Sequence, residues 1–464
     1  MNRLQYLFRP DSVAVVGASD VEDKYGHKVL RNIVEGGFQG RIYPVNPNAD
    51  TVLGLKAYPR VAAIPERVDL AFIIIPARLV ADAVKEAVDA GARSLVIITA
   101  GFGETGEEGR KTEAAIRDYC KAANVAAVGP NCMGICSFPV QLAATMERLR
   151  SEPGHVSFIS QSGTYGITTL NYGLRTGVAF NSFISSGNEA VTRFTEYLEY
   201  LGEDPDTSVI MGYIESLRDG DRFVRIAREV SRKKPIVVMK FGRTRKGSVA
   251  ASSHTGALAG SHSVYRAAFR QSGVIEVTRT HDLLNVAMAL SMQPPLRGRR
   301  IGIAGASGGF AVAATDVLEE LDLEVPTFSP ELQTYIRTEA GTMPYASVQN
   351  PIDLAADLRP APLLRCADIV LQQDNIDGAV VALPARPFPP GENTIREIER
   401  MQRESGKPVV ICYYAHPDGV GTIQSMTQQI PVYKSPEEVG EVFRALHQYG
   451  DFLARQSWSH ATDS

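Results

Sequence analysis

Short apolar runs alternate with longer stretches of helical periodicity along most of this chain. Three times such a run ends in a Gly/Ser turn and passes into a helical pattern. The three are Val13-Ala14-Val15-Val16-Gly17-Ala18-Ser19, Val156-Ser157-Phe158-Ile159-Ser160-Gln161-Ser162-Gly163 and Ile301-Gly302-Ile303-Ala304-Gly305-Ala306-Ser307-Gly308-Gly309. Each has the form of the first βα unit of a parallel-sheet domain. Two stretches rich in Pro, Gly and charge, Glu152-Pro153-Gly154 and Gln293–Arg300, precede the second and third units and read as exposed boundaries.

After the first unit, strands are expected at Arg41–Val45, Leu70–Ile75, Ser94–Thr99 and Val125–Val128, with helices between them over Ala81–Ala90 and Glu108–Ala123. The scheme repeats with Ala179–Ile184, Ser208–Ile214, Pro235–Lys240 and Val274–Val277, then with Gly378–Leu383 and Pro408–Tyr413. The pattern predicts an α/β protein of three doubly wound parallel-sheet domains over residues 1–130, 152–292 and 299–455. The tail after Gln456 reads as disordered.

Composition narrows the function classes. A chain of 464 residues is too long for one core. A net charge of −4 gives no reason to expect nucleic acid or an acidic membrane as partner. No apolar run is long enough to span a bilayer, and residues 1–10 lack the apolar core of a signal peptide. The five cysteines form no metal-ligand spacing, so free thiols in a reducing cytoplasm are expected.

In open α/β sheets, ligands bind beyond the carboxyl ends of the strands. For the first domain these ends are Gly17–Asp20, Asn46-Pro47, Pro76-Ala77, Ala100-Gly101-Phe102 and Gly129-Pro130-Asn131-Cys132. A nicotinamide dinucleotide needs G-x-G-x-x-G and an acidic residue after the second strand. Here Gly17 is followed by Ala18-Ser19-Asp20-Val21, and Val45-Asn46-Pro47 stands where the acid belongs. A phosphate still fits the turn and helix start after Gly17. Lys24, Arg41 and Arg78 are either its cationic partners or plain surface charges. Pro47 and Pro76 either shape a groove or simply end their strands.

The segment Ser252-Ser253-His254-Thr255-Gly256-Ala257 places one histidine among small residues. Neutral imidazole is abundant near neutral pH, and a free ring nitrogen attacks phosphorus. On these residues alone, His254 is either such a nucleophile or a surface histidine in a small-residue loop. None of the chain's other histidines sits in a comparable loop; the nearest, His262, is expected to start the following helix.

Taken in order, Ser12–Ser19, Tyr43-Pro44-Val45-Asn46-Pro47, Ala100-Gly101-Phe102, Gly129–Gly134, Ile159–Gly163, Gly202–Thr207, Ser253–Ala257 and Asn350-Pro351-Ile352-Asp353 carry a resemblance. Together they resemble the α subunit of the ADP-forming acyl-CoA synthetases, relatives of succinyl-CoA synthetase. The resemblance implies a Rossmann-like coenzyme A-binding domain followed by two flavodoxin-like domains. It implies interconversion of an acid, coenzyme A and ATP with acyl-CoA, ADP and phosphate, through an acyl phosphate and a phosphohistidine. His254 matches the phosphoryl-carrying histidine, and Glu215 the glutamate that contacts it. Gly17, Ala18, Ser19, Lys24, Asn46, Pro47, Pro76, Ala100, Gly101, Asn131 and Cys132 fall on the coenzyme A side. Ser162, Gly163, Thr164 and Gly256 are candidates to hold the phosphoryl group, although Ser162 and Thr164 are equally good helix caps. Cys132 reads as a small buried thiol rather than a nucleophile.

After Ser185-Ser186-Gly187-Asn188 the resembled family usually carries a basic and then an acidic residue, and here stand Glu189-Ala190-Val191. The chain shows no ATP-grasp domain, so the resemblance implies that Mg-ATP or ADP sits on a separate β subunit, in an α2β2-type assembly. The other readings are a non-catalytic coenzyme A-binding or regulatory protein and, against the Gly17 turn, an NAD-dependent oxidoreductase.

Overall fold

The computed structural model describes residues 3–249, 261–384, 390–414 and 419–461, with the backbone alone for 457–461. His254 and Gly256 lie outside the described residues. The chain divides into two compact units, Met1–Thr278 and Arg279–Ser464.

The first unit holds two sheets. In the first, five parallel strands lie in the order Arg41–Val45, Ser12–Val16, Leu70–Ile73, Ser94–Ile97, Ala126–Val128. Tyr58 adds one parallel bridge to Val45, with its N–H on the Pro44 carbonyl at 2.9 Å. Counting that bridge, the order is the 3-2-1-4-5-6 of a Rossmann sheet, with its third strand reduced to one residue pair. Apart from Arg41–Tyr43 in the edge strand, the strands are largely buried on both faces, as expected for a parallel sheet. Val13, Val15, Leu70, Phe72, Val96, Ala126 and Val128 belong to one core. Their neighbours Ala14, Ala71, Ile73, Leu95, Ile97 and Ala127 belong to another.

The second sheet has five parallel strands in the order Ile275–Val277, Ile236–Lys240, Val209–Ile214, Val156–Ser160, Phe180–Ser185, the flavodoxin arrangement. The hairpin Gly134–Ser137 and Leu142–Thr145, which the sequence reading leaves unassigned, extends it antiparallel along Phe180–Ser185. The hairpin also packs on the helix Tyr25–Gly36 of the first sheet. There the buried Asn32 amide donates to the carbonyls of Thr145 and Glu147, at 2.8 and 3.0 Å. One apolar core therefore runs from Val13, Phe72 and Val128 through Ile135, Leu142 and Ala144 to Ile159, Ile184 and Ile210.

The second unit is built on Ile301–Gly305, with the parallel strands Ile352–Asp353, Gly378–Ala382, Val409–Cys412 and Val432–Tyr433 in the same flavodoxin order. The helix Thr280–Met292 packs on the terminal helix Pro436–Ala461 and so belongs to this unit. The terminal helix continues past Gln456, where disorder was expected.

The turn that opens the cleft is tightly packed. Gly17 has φ +95°, and a Cβ there would lie 2.2 Å from the Ile74 carbonyl oxygen. A Cβ on Gly26, in the helix that follows, would lie 1.9 Å from the Gly17 carbonyl oxygen. Gly17→Ala and Gly26→Ala should each lower the unfolding free energy by roughly 1–3 kcal/mol, the usual cost of overpacking. Urea unfolding midpoints equal to the wild type would show that turn and helix separate freely.

Candidate active site

A cleft of about 1480 Å³ opens over the carboxyl ends of both sheets of the first unit. Each of the five expected turns of the first sheet contributes to it: Gly17, Ala18 and Ser19; Asn46 and Pro47; Pro76; Ala100; Asn131 and Cys132. Lys24 lines it as well. From the second sheet come Ser162, Gly163 and Thr164, Gly187, Asn188 and Glu189, and Glu215. Of the expected residues, Gly101 does not line it. Gly101 instead makes a turn at φ +107°, with its N–H on Glu104 Oε1 at 2.6 Å. Arg41 and Arg78 are also outside it; Arg41 pairs with Glu66. The lining cations are Lys24, Arg60, Arg110, Arg117 and Arg218.

The first-sheet end suits a phosphate better than a ribose. The helix Tyr25–Gly36 begins at Lys24 with no side-chain cap, so its amide dipoles face the cleft. Asn46, at the position of the missing acid, is spent on structure. Its amide donates to the Ala18 carbonyl at 2.8 Å, and its oxygen accepts the Asn48 N–H at 2.9 Å. Ser19 Oγ accepts the Val21 N–H at 3.1 Å.

At the second-sheet end, Ser162 occupies the N-cap position of the helix Gly163–Arg175 but makes no cap bond. The Tyr213 phenol lies near both Ser162 and Glu215. Burial, then the nearby Glu215 charge, pushes that phenol up. Half-buried Glu215 directly follows the strand Val209–Ile214. Lys240, buried at the end of its own strand, donates to the Glu215 carbonyl at 2.8 Å and lies under the Tyr265 ring. Burial lowers its pKa, against the charges of Glu215 and Glu276. His262 does start a helix, and its Nε2 meets Glu276 Oε1 at 2.7 Å, so it is committed elsewhere.

The two ends are latched by side chains. Asn188 donates to Glu104 Oε2 at 2.6 Å and to Glu113 Oε2 at 2.9 Å, and accepts from Asn131 at 3.2 Å. Burial opposes the Glu104 charge, but the Gly101 N–H, Asn188 and further backbone donors outweigh it and hold the carboxyl below its usual range. A Cβ on Gly187, at φ +60°, would lie 2.3 Å from the Pro130 carbonyl oxygen, so the two loops lie backbone against backbone. Among the described residues no cluster of His, Cys, Asp and Glu is placed to hold a metal ion.

Comparison with known proteins places this arrangement. Residues 11–137 match the model of a CoA binding domain, and residues 153–290 that of a succinyl-CoA ligase like flavodoxin domain. The chain is 36% identical over 458 residues to subunit alpha of the ADP-forming acetate–CoA ligase II of Pyrococcus furiosus, covering 96% of this chain and 97% of that one. It is 40% identical over 378 residues to the ADP-forming acetate–CoA ligase I of Archaeoglobus fulgidus, covering 81% of this chain and 54% of that protein. Its fold matches the dinucleotide forming acetyl-coenzyme A synthetase 1 of Ca. Korarchaeum cryptofilum, solved with phosphate and ADP. The TM-score is 0.90 at 32% identity, over 98% of this chain and 99% of that one. This chain belongs to the α-subunit family of the ADP-forming acetate–CoA ligases.

In this α subunit the sequence reading missed Gln161, Asn188, Glu189 and Lys240 as site components. Gln161 and Asn188 were visible inside quoted motifs, and Glu189 as a departure from the family pattern. Lys240 ends an apolar strand, where nothing marks it as buried. Cys132 behaves as the small buried thiol it was read to be. Its Sγ meets the Ile97 carbonyl at 3.3 Å, and burial pushes the thiol up to about 12. The thiol therefore stays protonated near neutral pH. The native α subunit should resist iodoacetamide at Cys132, and Cys132→Ser should keep acyl-CoA synthesis within about threefold. Rapid alkylation at Cys132, or loss of turnover in the serine variant, would contradict this.

Proposed function

We propose that this chain is the α subunit of an ADP-forming acid–CoA ligase that works through an acyl phosphate and a phosphohistidine on His254. The observation that carries the reading is the single cleft that joins the Gly17 turn to the start of helix Gly163–Arg175 and to Glu215.

On the first-sheet side, the Gly17-Ala18-Ser19 turn, the uncapped helix start and Lys24 hold the phosphates of coenzyme A. Pro47, Pro76 and Ala100 wall the groove for its extended arm, with Asn131 and Cys132 at the reacting end. The cleft fits such a ligand: it has a volume of about 1480 Å³, is lined at the first-sheet end by the Gly17 turn, the uncapped helix start and Lys24, and has Asn46 rather than an acid beside the turn. In the direction of ATP formation, phosphate oxygen attacks the acyl carbonyl carbon and the thiolate of coenzyme A leaves. A His254 ring nitrogen then attacks the phosphorus, and the P–O bond to the acyl group breaks, releasing the carboxylic acid as its anion. The phosphoryl group lies on the amides at the start of helix Gly163–Arg175, with Ser162, Thr164 and Gly256 as further donors. Glu215 accepts from the other ring nitrogen, fixes the tautomer and stabilises the charge on the ring.

The phosphoryl group then passes to ADP on a partner with an ATP-grasp fold, in an α2β2-type assembly. The word subunit in the relatives' names supports a partner, as does the length of the A. fulgidus relative beyond the matched part. The substrate is a small carboxylic acid. Five unpaired, buried cysteines support a cytoplasmic setting, and no helix among the described residues is long and apolar enough to cross a membrane.

With the partner and Mg-ATP, the chain should acquire acid-labile, base-stable phosphate on His254, and His254→Ala should acquire none. Glu215→Gln should slow phosphorylation about 100-fold while calorimetry shows coenzyme A affinity unchanged within about twofold, since that ligand sits on the first sheet. Label persisting in His254→Ala, or NAD binding in place of coenzyme A, would overturn the assignment.

A further inference from the structure

The peptide at Glu215 is gripped from both sides. Its N–H donates to Gln161 Oε1 at 2.7 Å, and its carbonyl accepts from Lys240 Nζ at 2.8 Å. The Ser216 N–H reaches the same Gln161 oxygen at 3.0 Å. The Gln161 amide nitrogen donates to the Ser216 carbonyl at 2.8 Å and to Glu189 Oε1 at 3.0 Å. All four bonding positions of the Gln161 amide are filled. A flipped amide would set its NH₂ against two backbone N–H groups and its oxygen against the Ser216 carbonyl and the Glu189 carboxyl.

Glu189 supplies the one side-chain contact among these four. It is only 7% exposed, and it also accepts from Ser186 Oγ at 2.8 Å. Burial pushes its carboxyl up, against the donors Gln161 and Ser186 and the nearby Arg218. Burying a carboxyl group costs free energy that an apolar residue of similar size would not incur. The backbone is held as well: φ at Glu189 is +53°, and the flanking residues bond the first sheet through Asn188 N–H to the Pro130 carbonyl and Ala190 N–H to the Gly129 carbonyl. The carboxyl group is thus placed by the first sheet and spent on a side chain of the second.

We infer that Glu189, acting through Gln161, is a positioning residue that fixes the Glu215 peptide and with it the direction of the Glu215 carboxylate in the cleft. The inference rests on the reading of Glu215 as the group that orients His254.

The test uses the full chain with its ATP-grasp partner and two readouts. Hydrogen exchange over residues 213–217 reads the clamp directly. The rate of His254 phosphorylation by Mg-ATP reads its consequence. In Glu189→Leu, exchange at the Glu215 and Ser216 amides should rise at least about tenfold. Phosphorylation should slow about 10- to 100-fold, as a misplaced group would make it. Glu189→Gln keeps an oxygen for Gln161 and Ser186, so it should return both readouts to within about threefold of the wild type. Should Glu189→Leu fail to fold, Gln161→Met removes the clamp together with the hydrogen bond that it gives Glu189 and should give the same two changes. Unchanged exchange in these variants overturns the proposal, and so does raised exchange with a wild-type phosphorylation rate. Failure of Glu189→Gln to rescue overturns it as well. If the wild type takes no label on His254, the functional reading fails before any variant is compared, and the exchange arm still decides the clamp.

Discussion

One apolar core shared by two sheets sets the geometry of this protein. The hairpin Gly134–Thr145 is the piece that makes it continuous, because it pairs with the second sheet along one edge and lies on the helix Tyr25–Gly36 of the first. Ile135, Leu142 and Ala144 are buried in that seam. Close-packed interiors resist small displacements, so the carboxyl ends of the two sheets face one cleft in fixed register. Without the seam, the turn at Gly17 and the carboxylate at Glu215 would belong to separate crevices.

Polar side chains refine what the core aligns. Asn188 ties the loop after Phe180–Ser185 to Glu104, Glu113 and Asn131 of the first sheet. Gln161 ties the end of the central strand of the second sheet to its neighbours on both sides. These groups are buried or half-buried, where a hydrogen bond is stronger and an unpaired donor more costly than in water. The network is therefore specific as well as stabilising: each amide has one orientation that satisfies all its partners.

The strands were legible because parallel sheets are buried on both faces, and buried strands are runs of Val, Ile, Leu and Phe that stand out from their surroundings. Expected and observed strands differ by a residue or two at their ends, as with Leu70–Ile75 against Leu70–Ile73. The hairpin Gly134–Thr145 was not legible. Its two strands are four residues each, carry Gly, Ser, Cys and Ala, and are stabilised by pairing with Phe180–Ser185, far along the chain. The terminal helix was cut short in the sequence reading because the residues past Gln456 are polar, whereas the helix Pro436–Ala461 takes its stability from packing on Thr280–Met292.

By itself the sequence determined the parallel-sheet class, the turns that face the cleft, the lack of a dinucleotide fingerprint and the motif order that marks the family. All of these are written locally, in residue types and short spacings. Only the tertiary structure decided that the Gly17 turn, the Ser162 helix start and Glu215 share one cleft, that Gly101 stands outside it, and that Lys240 turns inward onto the Glu215 carbonyl and Glu189 onto Gln161. Those facts depend on which side chains meet across sheets. Meetings of that kind are set by the packing of distant segments, and no local pattern of residues encodes them.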